Sequence, residues 1–272
     1  MFRRLSALVS AAAIAGAALI GLTAATASAN PTCPDVHWIG VAGSGERTDP
    51  AVNGGMGRPV YQSLQDFSRL VQQDGRTMTA EAVVYPATEV PADGDLLGWG
   101  GFMGSVDAGV AALGSQYAAF TQRCPATSVV LAGYSQGAMV VHRNLHALAT
   151  SPNLAAALLI ADGDRLPTDP TINLGSVTGV PGAGKGVAQD WPILAHAPGA
   201  LPVSVGSRTI SVCNLGDAVC DYDPEAEEVT AAAIAVHTSY ATAGGGQLPW
   251  TWTLYQLASR SAMGSQMVPP GA

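Results

Sequence analysis

Gly133-Tyr134-Ser135-Gln136-Gly137 sets a serine between two glycines in the pattern G-x-S-x-G. A serine hydroxyl is a poor nucleophile until a base removes its proton, so the pattern carries chemistry only where a histidine and an orienting carboxylate can reach it. An apolar run at 128–132 precedes the pattern and an amphipathic stretch at 138–149 follows it. A strand-to-helix turn of this kind exposes the hydroxyl, and glycine neighbours leave room for the tight bend. The bare pattern also fits an ordinary Gly-rich turn in a chain with 32 glycines; the flanking strand and helix favour the nucleophile.

The chain order expected on such a scaffold is Ser, acid, His. Beyond Ser135 the histidines are His142, His146, His196 and His237. His142 and His146 fall on the helix just after the nucleophile and read as polar positions on a solvated face. His196 falls in a stretch without periodicity, which leaves His237, just past a helix near the chain end, as the best base. For the acid, Asp217 lies between Cys213 and Cys220, where a disulfide-pinned loop would hold a carboxylate at little entropic cost. Asp162, at the end of an apolar run, is the rival acid, and it reads equally well as a turn residue in Asp162-Gly163-Asp164. The chain order favours Asp217.

These residues need elements to hold them. Residues 36–42 read as a buried strand broken at Gly43-Ser44-Gly45, and 60–73 as a helix by apolar spacing. A strand is expected at 81–85, a surface loop carrying Leu96, Leu97, Trp99 and Phe102 at 86–104, and a helix at 106–122. Further strands fall at 128–132, 155–161 and 209–213, and helices at 138–149, 225–236 and 250–259. Residues 165–207 form a long insertion rich in Pro and Gly without assignable periodicity, a length for which function or mobility is the usual reason. Strands alternating with helices imply an α/β fold with a mostly parallel sheet covered on both faces, whose active site lies beyond the carboxyl ends of the strands.

Composition narrows the class of function. Twelve Lys and Arg against 20 Asp and Glu leave a net charge of -8, which excludes the basic footprint of a nucleic-acid partner. Arg3 and Arg4 precede a mostly apolar run at 7–22 and an Ala27-Ser28-Ala29 ending. That is the build of a secretory signal peptide over 1–29, leaving a single domain over 30–272; an uncleaved anchor is the alternative. All four cysteines lie in the mature part, and in an oxidising compartment they imply two disulfides. Three pairings are possible. Spacing favours a local Cys213–Cys220 clamp, leaving Cys33 with Cys124. No Cys-x-x-Cys or His cluster suggests a metal. Residues 179–185 imitate a phosphate-binding loop around Lys185, but Gly186 stands where Ser or Thr is required and no apolar strand precedes it.

At this point the sequence resembles the cutinase family of secreted serine esterases, with its actinobacterial cutinase-like members. The resemblance rests on Gly43-Ser44, Tyr85-Pro86-Ala87, Cys124-Pro125, Gly133 to Ala138, the run from Cys213 to Cys220 and His237. It implies a three-layer α/β/α hydrolase fold, Ser135 as nucleophile, His237 as general base and acid, and Asp217 as its orienter. It further implies an oxyanion hole from Ser44 and Gln136, the pairings Cys33–Cys124 and Cys213–Cys220, and no metal or other cofactor. The implied activity is hydrolysis of carboxylic esters through an acyl-enzyme, outside the cell or at the cell wall. Lipase, phospholipase, thioesterase and acetylxylan esterase work, or a non-catalytic envelope role on the same scaffold, are the alternatives. The implied partner is an ester or lipid substrate, small or polymeric. Leu96, Leu97, Trp99 and Phe102 are read as available to an acyl chain or a lipid surface, with plain packing the alternative.

Overall fold

The computed structural model describes residues 33–49, 51–91, 95–191, 199–226, 228–241 and 247–266. The expected signal segment and His196 lie outside them. Six strands form one parallel sheet: β1 (Val36–Val41), β2 (Met78–Ala82), β3 (Ser128–Tyr134), β4 (Leu154–Ile160), β5 (Ile172–Leu174) and β6 (Thr209–Val212). Their order is β2-β1-β3-β4-β6-β5. The central strands β1 and β4 are buried at every position and β3 at all but Ser128, as continuous apolar runs in a doubly covered parallel sheet should be.

Helices α2 (Leu96–Arg123) and α3 (Gln136–Ala147) cover one face. The other carries α1 (Arg58–Gln73) and α6 (Thr251–Gln266). A four-residue α4 (Val203–Gly206) precedes β6, and α5 (Ala231–His237) follows it. The α1 helix starts with Pro59 in its first turn, ends at Asp74-Gly75, and buries a Val60, Phe67, Val71 stripe against Trp38. This is the three-layer α/β/α arrangement expected. Cys33 pairs with Cys124 and Cys213 with Cys220, at Cα separations of 5.5 and 5.9 Å.

β5 and α4 fall inside the insertion at 165–207, where the sequence reading assigned no element, and three further elements depart from it. The strand expected at 81–85 lies at Met78–Ala82, on the edge of the sheet; beyond it Val83 still donates to Gly40 O at 2.9 Å, Val83 and Tyr85 turn into the core and Val84 is exposed. Its Thr79 and Glu81 side chains both bond the His37 ring, at 2.8 Å. The surface loop expected at 86–104 becomes helix from Leu96, because Asp95 caps it by accepting from Gly98 N at 2.8 Å. Leu96 and Leu97 are 74% and 90% exposed, but Phe102 is buried in the core. By length and composition α2 could cross a bilayer; here Phe102, Val106, Leu113, Tyr117 and Phe120 are spent on the core instead. The helix expected at 225–236 is shorter, starting where Thr230 accepts from Ala233 N.

Neighbouring β1 and β3 run to the same edge of the sheet, while the chain leaves β1 toward β2 on one side and reaches β3 on the other. A crevice at such a switch point is where a parallel sheet binds ligands. Ser44 follows β1 and Ser135 follows β3, so both open into it.

Candidate active site

Ser135 sits between the last residue of β3 and the first of α3 with φ 53° and ψ -120°. A non-glycine residue in that region costs about 1–3 kcal/mol and persists only where its surroundings dictate it. Here Ser135 N donates to Ile160 O at 2.9 Å, and Ser135 O accepts from Ala138 N and Met139 N. The two glycines are needed for contact distance. A Cβ on Gly133 would fall 2.2 Å from the Gly137 carbonyl oxygen, and one on Gly137 would fall 2.3 Å from that of Val41. Strand and helix can meet this closely only through bare backbone.

His237, the last residue of α5, brings Nε2 to 3.0 Å from Ser135 Oγ, and its Nδ1 lies 3.0 and 3.2 Å from the two oxygens of Asp217. Its ring stacks on Tyr134, whose hydroxyl donates to the His237 carbonyl at 2.8 Å. Asp217 is fully buried. Burial alone would raise its carboxyl, but the hydrogen bond and charge of His237, with the N–H groups of Cys220 and Val219, outweigh this and hold it below the ordinary aspartate range. An ionised carboxylate only accepts, so Nδ1 is the donor and Nε2 is left to accept the serine proton. Tyr240 donates to Asp217 Oδ2 at 2.8 Å, and burial, then that carboxylate, push its hydroxyl far up, so it stays a donor.

The Cys213–Cys220 bridge carries the loop whose Val219 and Cys220 N–H groups hold Asp217 Oδ1, at 2.7 and 3.0 Å. A closed loop this short contributes about 2.4 kcal/mol of chain entropy, against about 4.6 for the span closed by Cys33–Cys124. The double variant Cys213→Ala, Cys220→Ala is therefore expected to lose on the order of tenfold or more in kcat for a modest drop in melting temperature. Parallel loss of both, followed by turnover and thermal melting, would make the bridge merely structural.

Ser44 and Gln136 both line the crevice beside Ser135 and His237. Gln136 opens α3, where the first N–H groups have no helical acceptor upstream and point at whatever enters. Its side chain is buried, directed at the carbonyls of Thr88 and Phe102. Two residues beyond Ser44, the carboxylate of Glu46 accepts from Gly43 N at 2.8 Å and Arg58 N at 3.0 Å, which ties the Ser44 loop to the start of α1. Burial pushes the Glu46 carboxyl up, despite those donors and the charge of His237. Sequence reasoning passed over Glu46, Tyr134 and Tyr240. Only their nearness to Ser44, Ser135 and His237 in the chain hinted at them.

Asp162 does not approach His237. It lies two residues past β4 and bonds His142 Nδ1 at 2.5 Å, both side chains being buried. The reading of His142 as a solvated polar position is thus corrected: α3 lies against the sheet on that side, and a buried imidazole there needs a carboxylate. Burial opposes its charge, but Asp162, backed by Asp164 and Asp169, raises its pKa. Asp164 in turn holds Arg143 through two bonds, at 2.7 and 3.0 Å. Lys185 pairs with Asp190, and Gly184 N donates to Asp221, so the Gly-rich run around them serves side chains of the protein itself. Among the described residues no cluster suited to a metal ion occurs.

The crevice extends into a cavity of about 600 Å³, within the usual range for a small-molecule site. Its wall beyond the serine is apolar, with Trp99, Phe102, Met139, Val187 and Trp191 prominent.

Fold and crevice together define an α/β hydrolase. The chain belongs to the cutinase family, whose profile matches residues 32–256, and it is a carboxylic ester hydrolase. It is 30% identical over 218 residues to a phospholipase, Culp4, of Mycobacterium tuberculosis, covering 80% of each chain. It is 28% identical to a cutinase of Kineococcus radiotolerans over 78% of this chain and 58% of that one. Among solved structures, a cutinase-like protein from Cryptococcus sp. superposes with TM-score 0.60 at 22% identity, over 86% of this chain and 97% of that one. The two disulfides fit an extracellular protein.

Proposed function

We propose that this protein is a secreted serine esterase that cleaves acyl esters of lipid character through an acyl-enzyme on Ser135, after removal of residues 1–29. The observation that carries the reading is one imidazole spanning 3.0 Å to Ser135 Oγ on one side and 3.0 Å to Asp217 on the other. With the ester carbonyl oxygen between the Gln136 N–H and Ser44, Ser135 Oγ bonds to the carbonyl carbon as its proton passes to His237 Nε2. Asp217 stabilises the resulting imidazolium. Collapse of the tetrahedral adduct breaks the bond to the alcohol oxygen, which takes the proton from His237 and leaves. Water then gives a proton to the same nitrogen and adds to the acyl carbon. The second collapse frees the acid and returns the proton to Ser135. Each donor aimed at the developing oxyanion contributes about 3 kcal/mol to such a reaction.

The apolar cavity wall supports a hydrocarbon acyl group, and the similarity to a phospholipase agrees with it. Hydrolysis of p-nitrophenyl esters from acetate to palmitate tests this. Each methylene taken from water contributes about 0.8 kcal/mol, so kcat/KM should climb about fourfold per carbon until the wall ends. A profile flat or falling from acetate onward would remove the lipid reading. No hydrolysis at any length, with no labelling by an organophosphonate, would leave a non-catalytic scaffold.

A further inference from the structure

The insertion at 165–207 is docked on the site through its inner stretch. Gly184 N donates to Asp221 Oδ1 at 2.6 Å, Tyr222 N to Lys185 O at 2.9 Å, Val187 N to Val219 O at 2.8 Å, and Ala188 N to Gly163 O at 2.9 Å. One strap thus grips both the loop carrying Asp217 and the exit of β4. At its end stands Trp191, whose indole N–H donates to the Tyr222 hydroxyl at 2.7 Å. The same ring meets Trp99 edge-on, with centroids 4.9 Å apart, and Trp99 meets Phe102 at 5.4 Å. All four line the cavity that holds Ser135.

This arrangement has a chemical consequence. The one polar atom of the indole is spent on Tyr222, so the cavity faces aromatic carbon, a surface an alkyl chain can lie against but a hydroxylated chain cannot pair with. A ring held by a hydrogen bond and an edge contact, on a strap tied at four points, is a fixed wall and not a swinging cover. It joins the start of α2, the insertion and the acid loop, three segments distant in sequence, in one stretch of the cavity wall.

We propose that Trp191, held in place by Tyr222, sets the length of acyl chain this enzyme accepts, favouring linear chains of medium length over longer ones. The proposal rests on the reading of Ser135 as the acyl-forming nucleophile. It makes Trp191 a specificity-determining residue and Tyr222 a positioning residue.

The test compares chain-length profiles of p-nitrophenyl esters, acetate to palmitate, for the wild type, Trp191→Ala and Tyr222→Phe. Rates of covalent labelling by p-nitrophenyl alkylphosphonates of matching lengths are measured in parallel. Trp191→Ala should move the optimum to longer chains and raise the palmitate-to-butyrate ratio of kcat/KM by about tenfold or more. Tyr222→Phe keeps the ring and removes only the hydroxyl. It should shift the ratio in the same direction by about threefold, and it carries the test alone if Trp191→Ala melts out. Profiles that fall in parallel at every length, or an optimum that stays put, would overturn the proposal while leaving the esterase reading intact. A wild type that neither turns over nor labels would overturn the esterase reading itself, and the proposal with it.

Discussion

Ser135→Ala should lose ester hydrolysis by about six orders of magnitude in kcat, the scale on which serine hydrolases depend on their nucleophile, and should lose all covalent labelling by an organophosphonate. The expected size follows from geometry. The hydroxyl lies 3.0 Å from His237 Nε2 in the crevice, where the proposed mechanism places the attacking oxygen. A residue without it leaves only the donors at Gln136 and Ser44 to stabilise charge. Stability should change little, because among the described residues the side chain makes one hydrogen bond, worth about 1 kcal/mol. Turnover, intact-protein mass after labelling and a thermal melt read the three quantities separately. Hydrolysis that survives in a folded Ser135→Ala protein would sink the assignment.

Asp217→Asn should lower kcat by about four orders of magnitude with the fold retained, as in serine proteases whose orienting acid is amidated. The carboxylate accepts from His237 Nδ1, Val219 N, Cys220 N and Tyr240 OH at once. An amide turned toward Nδ1 would put the ring proton on Nε2, where it blocks acceptance from Ser135. The effect should therefore appear in kcat more than in KM. Stability carries a pH signature as well. Since the folded carboxyl is held below its ordinary value, its ionised form contributes stability above the ordinary aspartate range, and that contribution is lost as pH falls through the lowered folded value. The melting difference between wild type and Asp217→Asn should shrink across that acid window. An unchanged rate would detach Asp217 from the chemistry; Asp162 is already taken up by His142.

Much of this site was legible in the chain because its parts are local. Ser135 stands in a motif whose glycines are forced because a Cβ on either would lie 2.2 or 2.3 Å from a backbone oxygen, and Asp217 sits inside a cysteine pair that frames it. The strands β1, β3 and β4 were legible because strands buried on both faces must be apolar throughout. The start of α2 was not, since Gly98, Gly100, Gly101 and Gly104 speak for a loop, and one capping carboxylate, Asp95, decides otherwise. His142 was misread because helical position alone does not say which face meets the sheet.

By itself, then, the sequence named Ser135, Asp217 and His237 as candidates in chain order, and gave the alternation of strand and helix and the cysteine pairing favoured by spacing. These depend on neighbours along the chain. Tertiary structure decided what depends on neighbours across it. Glu46 reaches back to the Ser44 loop and Tyr240 to the acid, Asp162 is claimed by His142 and not by His237, and the insertion comes to rest with Trp191 against Tyr222 and Trp99. The physical reason is that hydrogen bonds and van der Waals contacts act over a few ångströms of space, and only the folded sheet brings these distant stretches of chain within that range.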